Sequence, residues 1–224
     1  MSAVDASGGE KLGILGGSFN PVHVVHLRLA LEAMEQAGLD RVDFLPAYQP
    51  PHKHNGWMLP FEERAELLEE TLQGRPRLGV NRMEAERSGP SYTVHSLEAY
   101  QEREPQSELF FILGGDELLF LPEWYEWRRL LGLASFVVAA REEGFDAKLE
   151  SFMSEHLPRA EAVNGSTRSW LLPQGRSIIS IEMPRMDVSS TLIRKRWAEG
   201  RSLAWLVPGA VERYLAQRNS WSAR

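Results

Sequence analysis

The 224-residue sequence contains no cysteine, which removes disulfides, thiolate nucleophiles and cysteine-ligated zinc and leaves the redox compartment unread. It also lacks basic excess: 25 Lys and Arg against 31 Asp and Glu give a formal net charge of −6, so no general nucleic-acid or anionic-membrane surface is expected. A polyphosphate ligand must therefore be met by a local cluster of basic groups. No stretch approaches the ~20 apolar residues of a membrane span, and Met1–Glu10 has neither the basic start nor the apolar run of an export signal. A cytoplasmic protein without nucleic-acid or membrane partners is expected, with its oligomeric state left open, homo-oligomer included. What is present is 43% hydrophobic and 25% charged residues, enough at this length for one domain with a substantial core. The expected boundaries are a disordered tail over 1–10, a single domain over 11–217 and a C-terminal tail over 218–224.

Short apolar runs alternate with helical patterns. Leu12–Leu15 precedes a helix with Leu27, Ala30, Leu31 and Met34 on one face, and Val42–Pro46 follows. The rhythm continues with helices near 61–72 and 93–102 and strands near 77–81, 109–113 and 136–140. Residues 141–177 fit it poorly apart from a helix around 145–156. A strand near 178–181 and helices near 189–199 and 210–217 complete the chain. Strands apolar on both faces and separated by helices predict an α/β fold, a Rossmann-like doubly wound parallel sheet, with ligand at the carboxyl ends of its strands.

The first of those ends carries Gly16-Gly17-Ser18-Phe19-Asn20-Pro21-Val22-His23-Val24-Val25-His26. Glycines here allow a tight turn, and the opening amides of the next helix direct N–H groups and a positive dipole end at an anion. His23 and His26, three apart on a helical first turn, would face one ligand together, and imidazole suits a phosphate gaining charge in a transition state. A second cluster, Asp187-Val188-Ser189-Ser190-Thr191-Leu192-Ile193-Arg194, places hydroxyls at a helix start. Capping explains the hydroxyls alone, whereas Arg194 near the end of that turn lets hydroxyls, amides and guanidinium converge on β and γ phosphates.

Together these segments resemble the G-G-[ST]-F-[DN]-P-x-H-x-G-H and I-S-S-T-x-I-R motifs of the nucleotidylyltransferase superfamily. Gln49-Pro50-Pro51-His52-Lys53, Glu84-Ala85-Glu86-Arg87-Ser88-Gly89-Pro90-Ser91-Tyr92-Thr93-Val94, Gly114-Gly115-Asp116 and Trp124-Tyr125-Glu126-Trp127 are similar to segments of its bacterial nicotinate mononucleotide adenylyltransferases. The resemblance implies adenylyl transfer from ATP to nicotinate mononucleotide, giving nicotinate adenine dinucleotide and pyrophosphate, with Mg2+ arriving on ATP and no dedicated protein metal site. It implies His23, His26 and Arg194 as catalytic. ATP would be held by Gly16, Gly17, Ser18, Phe19, Gly114, Asp116, Ser189, Ser190 and Thr191 as well as those three. Nicotinate mononucleotide would be held by Lys53, Thr93, Trp124 and Tyr125, with pyridine on the Trp124 face and its carboxylate on nearby amides. Taken alone, Asp116 reads equally well as a helix cap and Trp124 as core. Arg87 and Arg141 are secondary phosphate candidates. Val25 stands where the superfamily has glycine, and its branched side chain is expected to push the nucleotide outward and weaken ATP binding modestly. The rival readings are transfer to another mononucleotide, and a nucleotide-binding protein with weakened catalysis.

Overall fold

A computed structural model describes residues 9–51, 58–140, 144–163, 165 and 167–218. Residues 1–8 of the tail expected over 1–10, residues 219–224 of the tail expected over 218–224, and the candidates Lys53 and Arg141 lie outside them. At the expected tail junctions, Glu10 accepts a hydrogen bond from Arg41 Nε at 3.0 Å and Arg218 donates to Glu63 at 2.9 Å.

In chain order the elements are β1 (Lys11–Gly17), α1 (Val24–Ala37), β2 (Arg41–Pro46), α2 (Phe61–Leu72), β3 (Leu78–Val80), α3 (Thr93–Arg103), β4 (Glu108–Gly114) and α4 (Gly115–Leu119). They continue with α5 (Trp127–Leu133), β5 (Ser135–Ala140), α6 (Phe145–His156), β6 (Glu161–Val163), β7 (Ser169–Leu171), β8 (Ser177–Glu182), α7 (Ser190–Ala198) and α8 (Gly209–Ala216). Short 3₁₀ turns at Met83–Glu86 and Leu121–Glu123 lie between them. One sheet runs β3-β2-β1-β4-β5-β8-β7-β6. The first six strands in that order pair in parallel, and β7 and β6 pair antiparallel at one edge.

The doubly apolar strands feed two cores, because successive side chains leave a strand on opposite faces. Leu15, Phe44, Ile112 and Val137 pack under α1 residues Val25, Leu29 and Ala33. Leu12, Ile14, Phe111 and Phe136 pack with Leu97 of α3, Leu130 of α5 and Leu149 of α6 on the other face. Helix α1 stops where Gly38 takes a left-handed φ of 65° and its N–H caps the Met34 carbonyl. The region that broke the sequence rhythm holds the expected helix, α6, and the unexpected hairpin β6–β7. Each of its strands has only three residues, and every β6 side chain is exposed, so no period is long enough to read.

The parallel order reverses direction between β1 and β4. In an open α/β sheet that switch point is where a ligand crevice opens, beyond the carboxyl ends of the strands. Gly16-Gly17 ends β1 there, and Gly114 ends the adjacent strand β4.

Candidate active site

The glycines of the first motif do not make the turn. Gly16 and Gly17 remain in β1, paired with Leu45 and Pro46 of β2, and the left-handed residue is Phe19, at φ 43°. The glycines serve close packing instead: a Cβ at Gly16 would stand 3.1 Å from the Phe111 ring, and one at Gly17 3.1 Å from the Phe19 ring, tight enough that the rings would have to shift. Phe19 is buried between Phe44 and the edge of His26, with ring centroids at 5.6 and 5.0 Å. That packing holds the backbone in its unusual conformation.

His23 is the N-cap of α1 rather than part of its first turn, and its backbone N–H donates to Nδ1 of His26 at 3.2 Å. This reciprocal cap stacks the two rings at 3.8 Å and 24°. Because Nδ1 of His26 accepts, its proton in the neutral form rides on Nε2. His23 is buried and His26 half-buried. Two of the opening amides of α1 are occupied by the protein: Val24 N–H donates to the Leu206 carbonyl at 3.2 Å and His26 N–H to the His23 carbonyl at 3.0 Å. Two of the amides expected to cradle an anion are thus spent within the protein, and the two histidine rings lie at the same helix start. Val25 is corrected as well. It is 4% exposed and packs in the apolar core with Phe19, Val22 and Leu29, so its branches fill protein space instead of nucleotide space.

The second motif docks directly on the first. Ser190 Oγ donates to the Pro21 carbonyl at 2.9 Å, and Arg194 Nη1 donates to the Asn20 carbonyl at 2.8 Å. A second guanidinium N–H reaches Thr191 Oγ at 3.0 Å, which leaves three of its five donors for a ligand. Ser189 is the α7 N-cap, its Oγ accepting from Leu192 N–H at 3.1 Å, as the capping alternative required. Burial lowers the Arg194 pKa, so a half-buried cation stands at the Asn20 carbonyl, in the loop that leads to His23. An anion would relieve that cost.

The other side of the crevice is built by two extended segments. Gln49 N–H donates to Ser91 Oγ and Ser91 N–H to the Gln49 carbonyl, both at 2.9 Å. A cleft of about 340 Å3 lies between them, lined by Tyr48, Pro50, Met58, Pro90 and Tyr92 among others. Thr93 opens α3. Tyr125 is exposed and stacks on Tyr92 at 4.5 Å. Trp124 is half-buried, edge-on to Phe111 at 6.0 Å, while Trp127 is core. The Trp124 amide already donates to the Leu121 carbonyl at 3.0 Å, so a ligand carboxylate would fall to the Tyr125 amide. Gly114 caps α4, and Asp116 is exposed in the first turn of that helix, not at its cap. Among the described residues no three His, Asp or Glu side chains converge to hold a metal.

Sequence reasoning missed Arg64 and gave Glu84 no role. Arg64 is 1% exposed and donates to the carbonyls of Ser18, Ala47 and Leu59 at 2.7, 2.8 and 3.0 Å. Burial pushes its pKa down to about 10 against the opposing field of Glu84. The signal was available: Arg64 falls on the stripe of Phe61, Ala65 and Leu68, where a solvent-facing charge does not belong.

Comparison with known proteins agrees with this architecture. The cytidylyltransferase-like family matches residues 14–196. The probable nicotinate-nucleotide adenylyltransferase of Desulfatibacillum aliphaticivorans is 40% identical over 215 residues, covering 93% of this chain and 98% of that protein. Its counterpart in Maridesulfovibrio salexigens is 39% identical over 201 residues, covering 90% and 92%. The structure of Plasmodium falciparum nicotinic acid mononucleotide adenylyltransferase complexed with NaAD superposes with a TM-score of 0.71 over 93% of this chain and 95% of that one, a likeness of fold at 16% identity. The chain therefore belongs to the cytidylyltransferase-like family, and within it to the nicotinate-nucleotide adenylyltransferases.

Proposed function

We propose that the protein is an enzyme of NAD biosynthesis that transfers the adenylyl group of ATP to nicotinate mononucleotide, releasing pyrophosphate. The observation that carries this reading is the junction of the two motifs. Ser190 and Arg194 bind the Asn20–Pro21 carbonyls and so fasten the second motif to the loop that leads into the stacked His23 and His26. The 5′-phosphate of the mononucleotide would attack the α-phosphorus in line. No protein nucleophile is needed, and the rate comes from placement and charge stabilisation.

His23 and His26 would donate to the phosphate oxygens as charge develops, and Arg194, with the α7 start, would hold the leaving pyrophosphate. Gly16, Gly17, Ser18 and Phe19 shape the floor, and Gly114 and Asp116 stand at the adjacent strand end for the nucleotide. Thr93, Trp124 and Tyr125 would receive the pyridine ring, and the motif assigns Lys53 to its phosphate. Mg2+ arriving with ATP would supply neutralisation of the phosphate charge. No helix among the described residues is long and apolar enough to cross a membrane, and ATP as substrate favours the cytoplasm. Incubation with ATP and nicotinate mononucleotide should give nicotinate adenine dinucleotide and pyrophosphate in equal amounts. ATP hydrolysis without dinucleotide, or no turnover, would overturn the reading.

A further inference from the structure

A buried arginine costs free energy that a folded chain recovers only through good hydrogen bonds. Arg64 makes three, and its acceptors belong to three separate places. Ser18 lies in the loop that leaves β1, Ala47 immediately follows β2, and Leu59 immediately precedes the α2 cap. Ala47 and Leu59 bracket the segment that carries Gln49-Pro50-Pro51-His52-Lys53. Both brackets are also stitched to the phosphate loop without Arg64: Ala47 N–H donates to the Gly17 carbonyl at 2.9 Å, and Leu59 N–H to Asn20 Oδ1 at 3.0 Å. Buried Glu84 completes the frame, accepting from Tyr48 N–H at 3.1 Å and from Ser96 Oγ of α3 at 2.7 Å.

We propose that Arg64 is a positioning residue for the transfer. By gripping the Ser18, Ala47 and Leu59 carbonyls at once, it fixes the cleft wall formed by Tyr48–Pro51 and Met58 relative to the ATP phosphate loop and so sets the reach of the attacking phosphate. A planar guanidinium with five donors spans three carbonyls on three segments, whereas an ammonium is a point donor on a flexible stem. The link to chemistry is distance: a misplacement of about 1 Å between reacting groups can cost on the order of 10²-fold. This rests on the adenylyl-transfer reading for its kinetics, not for its structural arm.

The test compares the full chain with Arg64→Met and Arg64→Lys, measuring folded fraction, kcat, KM for each substrate, ATP affinity without mononucleotide, and amide exchange at Tyr48 and Leu59. Arg64→Met should lower kcat ~30- to 100-fold per folded molecule with ATP affinity within about threefold, and Arg64→Lys should recover part of the loss. Exchange at the two amides should rise at least ~10-fold in the substrate-free Met variant. A folded Met variant with near-parental kcat, unchanged exchange, or an ATP affinity falling as far as kcat would overturn the proposal. Failure of both variants to fold would overturn it in favour of a purely structural arginine. Absence of dinucleotide from the parent chain would instead overturn the adenylyl-transfer reading, whatever the exchange data show.

Discussion

His23 and His26 are held by each other before any substrate arrives: the N-cap amide of one fixes the ring of the other, and Phe19 closes the edge of the pair. Such preorganised donors stabilise transition-state charge without reorganising. Replacing either histidine with Ala should therefore lower kcat ~10²-fold or more, about 2.7 kcal/mol, with a smaller effect on ATP binding. Steady-state kinetics on both single variants checks this, and near-native kcat in both would remove the histidines from the chemistry. Val25 leads to the opposite expectation. Its side chain lies in the core, so Val25→Gly loses apolar burial and helix propensity together, about 2 kcal/mol. Thermal unfolding should show a lower Tm while the KM for ATP stays within about twofold. A several-fold fall in KM would restore the view that the valine crowds the nucleotide.

Among the elements, α7 has the clearest functional consequence, because its first turn is fastened to the loop after β1 and not to a neighbouring helix start. Ser190 makes one of the two ties and Arg194 the other. Ser190→Ala should cost about 1 kcal/mol of stability for the lost hydrogen bond and raise the KM for ATP roughly tenfold as Arg194 loses its fixed approach. ATP titration of the variant decides between this and simple helix capping, for which KM would stay unchanged. The short α4 is held differently: a Cβ at Gly115 would meet the Phe145 ring at 2.3 Å, so glycine there lets β4 and α4 approach α6. That contact sets where Asp116 stands at the strand end.

For the whole molecule, the histidines and Arg194 belong to elements on the face of the sheet covered by α1 and α7, and Tyr92 and Trp124 to the face covered by α3 and α5. A pyridine read by backbone donors near Tyr125 favours an acid over an amide, because a carboxamide NH2 opposes one donor where a carboxylate accepts from it. kcat/KM for nicotinate mononucleotide should exceed that for nicotinamide mononucleotide by at least ~10-fold. Equal use of the two in parallel assays would remove the selectivity from this side of the site.

The α/β class, the parallel strands and the two motifs that meet at Asn20 and Pro21 were legible in the sequence. Their signals are local: apolar runs of strand length, helical spacing, and residue types clustered within about a dozen positions. The rest depended on packing between distant segments. Whether Gly16-Gly17 turns or continues a strand depended on Phe111 and Phe19 lying against them, and which way Val25 points depended on the core beneath α1. The hairpin β6–β7 left no period to read. Arg64 was visible only as a charge on an apolar stripe, since its acceptors at positions 18, 47 and 59 come from loops whose meeting no local pattern encodes. The sequence by itself determined which chemical groups the site would contain. Only the tertiary structure decided which already bind the protein and which remain for a ligand, because hydrogen-bond satisfaction is a property of segments brought together, not of their order along the chain.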